Sequence, residues 1–307
     1  MPRHPLDKYF LYRFVRFMSF TLPLGIGYLL ATVTGIIAYS LSGKNRRAVI
    51  SNLTQVLGKE ASRRRICFVA GNTFCNYSKY IVDYFRFSRI NKDNWKSIIP
   101  QYEGADFIDS TLKKGKGLML LTAHLGNWEL GGLLFNILGY PMNVVTLIDE
   151  DLKIDEVRER WRSSRGIKSL TVNNSITAAK NIADALAKNE IVAMLGDRAT
   201  KTNRMRIKFF GKEAYFPTGP AILSLLTGAP IVPGFVLYQG RGRYYGVAEE
   251  PIYAKDTGNR EKDIRRTLEK IIRVFEKYIR QYPDQWYNFY PFWETRIGTD
   301  KNTDRHG

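Results

Sequence analysis

The sequence predicts an α/β chain, a layered domain with a mostly parallel central sheet, preceded by a hydrophobic N-terminal helical segment. Three observations carry that expectation. From Gly117 to about residue 281, apolar runs of strand length alternate with longer helical stretches, as in a sheet covered by helices. The 27 residues from Phe17 to Gly43 carry no charge. The 307 residues suffice for one large domain with a sizeable core plus an appended segment. The expected division is a segment at 1–44, a domain at 45–297 and a polar tail at 298–307.

The first segment is long enough to cross a bilayer core of about 30 Å, which takes roughly 20 residues. Pro23, Gly25 and Gly27 interrupt it, so a kinked span and a re-entrant hairpin are equally compatible with it. A secretory signal fits poorly, because the apolar run is too long and a basic flank continues beyond it. Arg13 and Arg16 precede it, and Lys44, Arg46 and Arg47 follow. Of the 47 basic residues, 11 lie in the first 65 positions, against two acids, Asp7 and Glu60. Half of the net charge of +18 thus flanks the most apolar stretch. Such flanks suit anionic headgroups, at about 1 kcal/mol per Lys or Arg near the surface. Arg63-Arg64-Arg65 and Lys113-Lys114-Gly115-Lys116 would extend that contact or simply be solvated.

Residues 45–90 read as helical, with apolar positions at Ile66, Phe68, Val69, Phe74, Tyr77, Tyr80, Ile81, Tyr84 and Phe85. This aromatic stripe suits a core, and in a lipid enzyme it could line an acyl groove. Strands are expected at 117–122, 142–148, 167–172, 190–196, 205–210, 230–238 and 243–249. Helices are expected at 128–138, 151–164, 175–188, 218–227 and 259–281. The alternation Arg204-Met205-Arg206-Ile207-Lys208 suggests a strand with one solvated basic face. Cys67 and Cys75 suggest no disulfide framework, and neither C-x-x-C nor H-E-x-x-H indicates a zinc site.

The most informative stretch is His124-Leu125-Gly126-Asn127-Trp128-Glu129, between an apolar strand and a helix. His4 and His306, the other two histidines, lie near the ends. Residues five apart on a continuous helix diverge by roughly 140°, so His124 and Glu129 meet only if the backbone turns between them. Gly126 allows that turn, and Asn127 is a good N-cap for a helix starting at Trp128. Glu129 would then accept a hydrogen bond from one imidazole nitrogen and leave the other free as a base. An adjacent carboxylate is expected to raise the pKa above about 6.5. No Ser or Cys stands beside His124, which favours a base acting directly on a substrate hydroxyl. His124 and Asp197 both fall at carboxyl ends of strands, where active sites of such sheets gather.

The block from His124 to Glu129 resembles the H-x(4)-D/E signature of the lysophospholipid acyltransferase superfamily. Its full form is similar to the branch of late lipid A acyltransferases and mycobacterial phosphatidylinositol mannoside acyltransferases. Gly196-Asp197-Arg198, Phe209-Phe210-Gly211, Pro217-Thr218-Gly219-Pro220-Ala221 and Gly228-Ala229-Pro230-Ile231 resemble further blocks in the same order. The resemblance runs from about residue 10 to 295. Arg162 and Arg165 both match the region of a functional arginine. Ala199 and Thr200 replace a second aspartate, and the segment 285–293 lacks a Trp-x-His-x-Arg pattern; both departures bear on the acceptor.

The resemblance implies a membrane-bound O-acyltransferase at a bacterial inner membrane, its catalytic domain facing the cytoplasm. Its donor would be acyl-carrier protein or acyl-CoA, and its acceptor a glycolipid such as a lipid A precursor, or alternatively a phospholipid or aminolipid. His124 would be the base and Glu129 its orienting carboxylate. Asp197 would orient the acceptor or Arg165, with Arg162 and Arg198 in support. Backbone N–H groups around Gly126, Asn127 and Trp128 would stabilise the oxyanion. No metal or bound cofactor is expected. The charge alone also suits a nucleic-acid binder, but the basic residues gather round the uncharged run and no nucleic-acid motif appears.

Overall fold

The structure is a computed structural model that describes residues 9–146, 152–172, 175–200 and 202–293. The expected polar tail, His4 and His306 lie outside these residues, as do the end of the 142–148 strand and the first residue of the 151–164 helix. The chain opens with α1 (Tyr9–Thr21) and α2 (Leu24–Leu41), split at Pro23, followed by α3 (Gly43–Leu57) and α4 (Arg63–Arg86). Then come α5 (Trp95–Ile98), β1 (Gln101–Glu103), α6 (Ala105–Leu112), β2 (Leu118–Thr122) and α7 (Trp128–Ile137). Next are β3 (Met142–Thr146), α8 (Leu152–Ser163), β4 (Lys168–Thr171), α9 (Ser175–Ala187) and β5 (Ile191–Leu195). The chain closes with β6 (Arg204–Phe209), β7 (Lys212–Pro217), α10 (Gly219–Thr227), β8 (Ile231–Gly240), β9 (Arg243–Ala248) and α11 (Arg260–Gln281).

Seven strands form one sheet in the order β1-β9-β8-β2-β5-β3-β4. Every pairing in it is parallel except β8 with β9. The central strands are buried along most of their length, Leu118 to Leu121 throughout, as parallel sheets covered on both faces require. β6 and β7 form a separate antiparallel hairpin. β7, β1 and α6 were not among the expected elements. Phe210 and Gly211 both take positive φ (49° and 79°) at the hairpin tip, as a two-residue primed turn demands.

The N-terminal apolar run packs along α4. Gly27, Ala31 and Gly35 form the buried stripe of α2. A Cβ at Gly35 would stand 2.6 Å from the Cα of Cys75, so the two backbones approach where only glycine fits. Pro23 breaks the helix and leaves carbonyls at the end of α1 unbonded within it. Arg86 donates to the Ser19 and Leu22 carbonyls, both at 2.7 Å, and Arg89 donates to that of Phe20 at 2.6 Å. The Tyr28 hydroxyl donates to the Asp83 carboxylate at 2.7 Å, and the Tyr244 hydroxyl on β9 also donates to it. On the opposite side of α2, Ile26, Leu29, Leu30, Val33, Ile36 and Ile37 are exposed. Of the aromatic stripe on α4, Phe74, Tyr80 and Phe85 are buried as expected, whereas Phe68 is exposed.

Candidate active site

β2 and β5 are neighbours in the sheet, with Thr122 opposite Leu195. The Gly196 N–H donates to the Thr122 carbonyl at 2.8 Å and carries that alignment past the strand ends. His124 and Asp197, two residues beyond their strands, therefore meet. His124 Nδ1 lies 2.6 Å from Asp197 Oδ1; the imidazole is 14% exposed and the carboxylate 0%. Asp197 Oδ2 accepts from Trp286 Nε1 at 3.2 Å and from Asn288 Nδ2 at 3.1 Å.

The carboxylate on the ring is thus that of Asp197, and the expected contact of Glu129 with the imidazole is corrected. Glu129 sits in the first turn of α7, and its Oε1 faces Arg162 on α8 at 3.7 Å. The helix start turns this side chain towards the neighbouring helix. The two candidate arginines also separate. Arg162 is buried against Glu129, its Nε without a hydrogen-bond partner among the described residues. Arg165 instead donates to the Ile90 carbonyl at 3.4 Å and lies over the Trp161 ring. Arg198 donates to Asn288 Oδ1 at 2.9 Å and to the Tyr287 carbonyl at 2.6 Å. It braces the strap that holds Asp197.

The turn between His124 and α7 is built as its sequence suggests. Gly126 has φ 66°, and a Cβ there would come within 2.2 Å of the Val236 carbonyl oxygen. The Asn127 side chain caps the helix, accepting from the Leu130 N–H at 3.1 Å. The N–H groups of Gly126 and Asn127 already donate, to the carbonyls of Gln285 (3.0 Å) and Val236 (2.7 Å). They are therefore withdrawn as oxyanion donors. Trp128 and Glu129 keep first-turn N–H groups that no helical carbonyl reaches.

Burial pushes the His124 imidazole below its ordinary pKa, with Arg198 in the same direction, and outweighs the upward pull of Asp197. The expected rise is thus reversed. Burial would also raise the Asp197 carboxyl, but His124, Arg198 and Asn288 hold it well below the usual carboxylate range. At neutral pH the pair is therefore a neutral imidazole beside an ionised carboxylate. Nδ1 carries the proton that Asp197 accepts, and Nε2 presents a lone pair. Trp128 packs edge-on to the imidazole at 5.1 Å and stacks on Tyr80 at 4.8 Å.

Trp286 and Asn288, both donors to Asp197, are not among the expected site residues; the density of aromatic and amide residues at 285–293 is their only signal in the sequence. Asn52 on α3 secures this strap. Its Nδ2 donates to the carbonyls of Asn288 (3.0 Å) and Tyr290 (2.8 Å), and its Oδ1 accepts from the Phe292 N–H at 2.9 Å.

A buried carboxylate fixing one imidazole nitrogen while the other is left basic is an arrangement chemically able to accept a proton from a bound hydroxyl. The family model of the bacterial lipid A biosynthesis acyltransferase matches residues 2–295. The chain belongs to that family and is an acyltransferase. Among curated proteins it is similar to the phosphatidylinositol mannoside acyltransferase of Mycobacterium tuberculosis H37Rv. The two are 26% identical over 223 residues, which cover 71% of this chain and 68% of that protein. The protein of the same name from Mycolicibacterium smegmatis is 24% identical over 254 residues, 81% of this chain and 80% of its own length.

Proposed function

We propose that this acyltransferase moves a fatty acyl chain from a thioester donor to a hydroxyl of a glycolipid at a bacterial inner membrane, with His124 as the base. The His124–Asp197 pair is the observation that carries this reading. Nε2 takes the proton from the acceptor hydroxyl while its oxygen bonds to the thioester carbonyl carbon. Asp197 stabilises the imidazolium. Collapse of the tetrahedral intermediate breaks the C–S bond, and the imidazolium returns the proton to the departing thiolate. The N–H groups of Trp128 and Glu129 are positioned at a helix start, where developing negative charge is favoured. Arg162, held by Glu129, supplies a guanidinium for an anionic group of the acceptor.

The activity of these phosphatidylinositol mannoside acyltransferases supports a glycolipid acceptor. The apolar face of α2 and the basic residues around it support a membrane setting; a cytoplasmic placement of the domain is part of the proposal. Acyl-carrier protein and acyl-CoA both suit a basic surface as donors. The test is incubation of detergent-solubilised wild type and His124→Ala with labelled acyl-carrier protein, labelled acyl-CoA and host lipid extract. Wild type is expected to label a glycolipid and His124→Ala to be slower by at least about 10²–10⁴-fold. Equal transfer by both would remove His124 as base, and release of free fatty acid alone would overturn acyl transfer to a lipid.

A further inference from the structure

α2 is 18 residues long and carries no charge, as a membrane span requires, yet its packing leaves it no way to cross. We propose that α2 lies flat in one leaflet, its outward face at the boundary between headgroups and acyl chains, and makes no transmembrane pass. The occupant of that face is a bilayer surface with anionic headgroups. This assignment rests on the membrane setting proposed above and adds how the helix meets the bilayer.

Helical periodicity divides α2 lengthwise. At roughly 100° per residue, Ile26, Leu30, Val33 and Ile37 form one stripe, flanked by Leu29 and Ile36, and all six are exposed. Gly27, Ala31 and Gly35 lie on the far side and are buried. That side runs along α4: Gly27 faces Val82, Gly35 sits against the Cys75 backbone, and the Tyr39 ring meets that of Phe74 at 5.6 Å. With Tyr28 bonded to Asp83, the contact from Tyr28 to Tyr39 extends roughly 16 Å along the helix axis.

α4 is committed in turn to the catalytic elements. Asn76, next to Cys75, donates to Asp284 at 3.0 Å, Tyr77 packs on Tyr287 at 5.2 Å, and Tyr80 stacks on Trp128 at 4.8 Å. An upright α2 would carry α4 with it, and Lys79 and Asp284 would reach hydrocarbon depth, where charge is costly. Both ends of α2 are also tied to this one domain. Arg86 and Arg89, at and just beyond the end of α4, hold the Ser19, Phe20 and Leu22 carbonyls that precede it. At its other end Arg46 on α3 donates to the Tyr39 and Ser40 carbonyls at 3.1 and 2.9 Å. A span must place one end beyond the opposite leaflet, and each end is bonded to the domain. Charge fits the flat pose. From Tyr9 to Leu57 the sequence holds five basic residues and no acid, and Arg16 before α2 and Lys44 and Arg47 after it are exposed. Basic residues at both ends of a flat helix meet headgroups of the same leaflet.

The experiment uses the full chain in a Cys67→Ser/Cys75→Ala background, bound to vesicles of phosphatidylcholine and phosphatidylglycerol. A nitroxide is attached in turn through Ile26→Cys, Leu30→Cys, Val33→Cys and Ile37→Cys, and its depth is read from collisions with oxygen and with a water-soluble nickel chelate. All four labels should report one depth, about 5–10 Å into the boundary region. An upright helix would separate Ile26 from Ile37 by roughly 16 Å; a gradient of that size would overturn the flat pose and leave the membrane setting intact. Labels left in water would strike the membrane setting itself, and labels shielded from both reagents would assign the face to a second copy of the chain. Arg16→Cys and Lys44→Cys, one at each end of α2, give a second reading that leaves the apolar stripe untouched. In sealed membrane vesicles from expressing cells, an impermeant maleimide should reach both from the same side. Reaction from opposite sides would overturn the proposal.

Discussion

At the residue scale, two carboxylates compete in the sequence for one histidine, and the geometry assigns them different tasks. Asp197→Asn keeps the shape but removes the acceptor that fixes the Nδ1 proton. It should lower transfer by about 10²–10⁴-fold, as loss of a base's orienting carboxylate does. Glu129→Gln leaves the imidazole pair intact and frees Arg162, so its defect should appear mainly in KM for the acceptor. The pH profile provides a further check. Burial holds His124 below its ordinary value, so the basic form predominates at pH 7. The acid limb of the rate should lie below about 6.5. Asp197 pulls that pKa up, so Asp197→Asn should move the limb lower still; a limb above 7 in wild type would contradict a buried neutral base.

At the element scale, most of the alternating elements were legible in the sequence, since β2, β5 and β8 are continuous apolar runs and α7 carries its own cap at Asn127. What was not legible is lateral order. Asp197 reaches His124 because β5 lies beside β2, a neighbourhood that spacing along the chain does not encode, whereas Glu129 is near in sequence and faces another helix. The packing of α2 on α4 was hidden for the same reason. Gly35→Leu forces a side chain into the α4 backbone, and should cost about 1–3 kcal/mol, read as a lower thermal midpoint. Asp83 joins the same helices to β9, and burial pushes its carboxyl up to about 6 despite the Tyr244 and Tyr28 hydrogen bonds. Unfolded, an aspartate titrates near ~3.9, so the folded state binds the extra proton between those values. This group's contribution to stability is full below about pH 4 and is lost as pH rises through about 6. Asp83→Asn should flatten that part of a stability–pH curve, and an unchanged slope would show that Asp83 titrates normally.

At the scale of the whole molecule, charge and apolar surface are arranged together. The exposed side of α2 and the basic residues flanking it should bind vesicles containing phosphatidylglycerol far better than phosphatidylcholine alone. Added salt should weaken the difference, by about 1 kcal/mol for each basic side chain screened from its headgroup. Equal co-sedimentation with both vesicles would mean that the charge takes no part. The strap that closes the site has a consequence for synthesis. Asn52, from the first fifth of the chain, grips Asn288, Tyr290 and Phe292, and Trp286 and Asn288 supply donors to Asp197. At ribosomal speeds of about 5–20 residues per second, the interval between Asp197 and Phe292 is on the order of ten seconds. Throughout it, a nascent chain displays its histidine and aspartate without the residues that hold them. The pair is therefore completed only once the segment from Trp286 to Phe292 has followed it out of the ribosome.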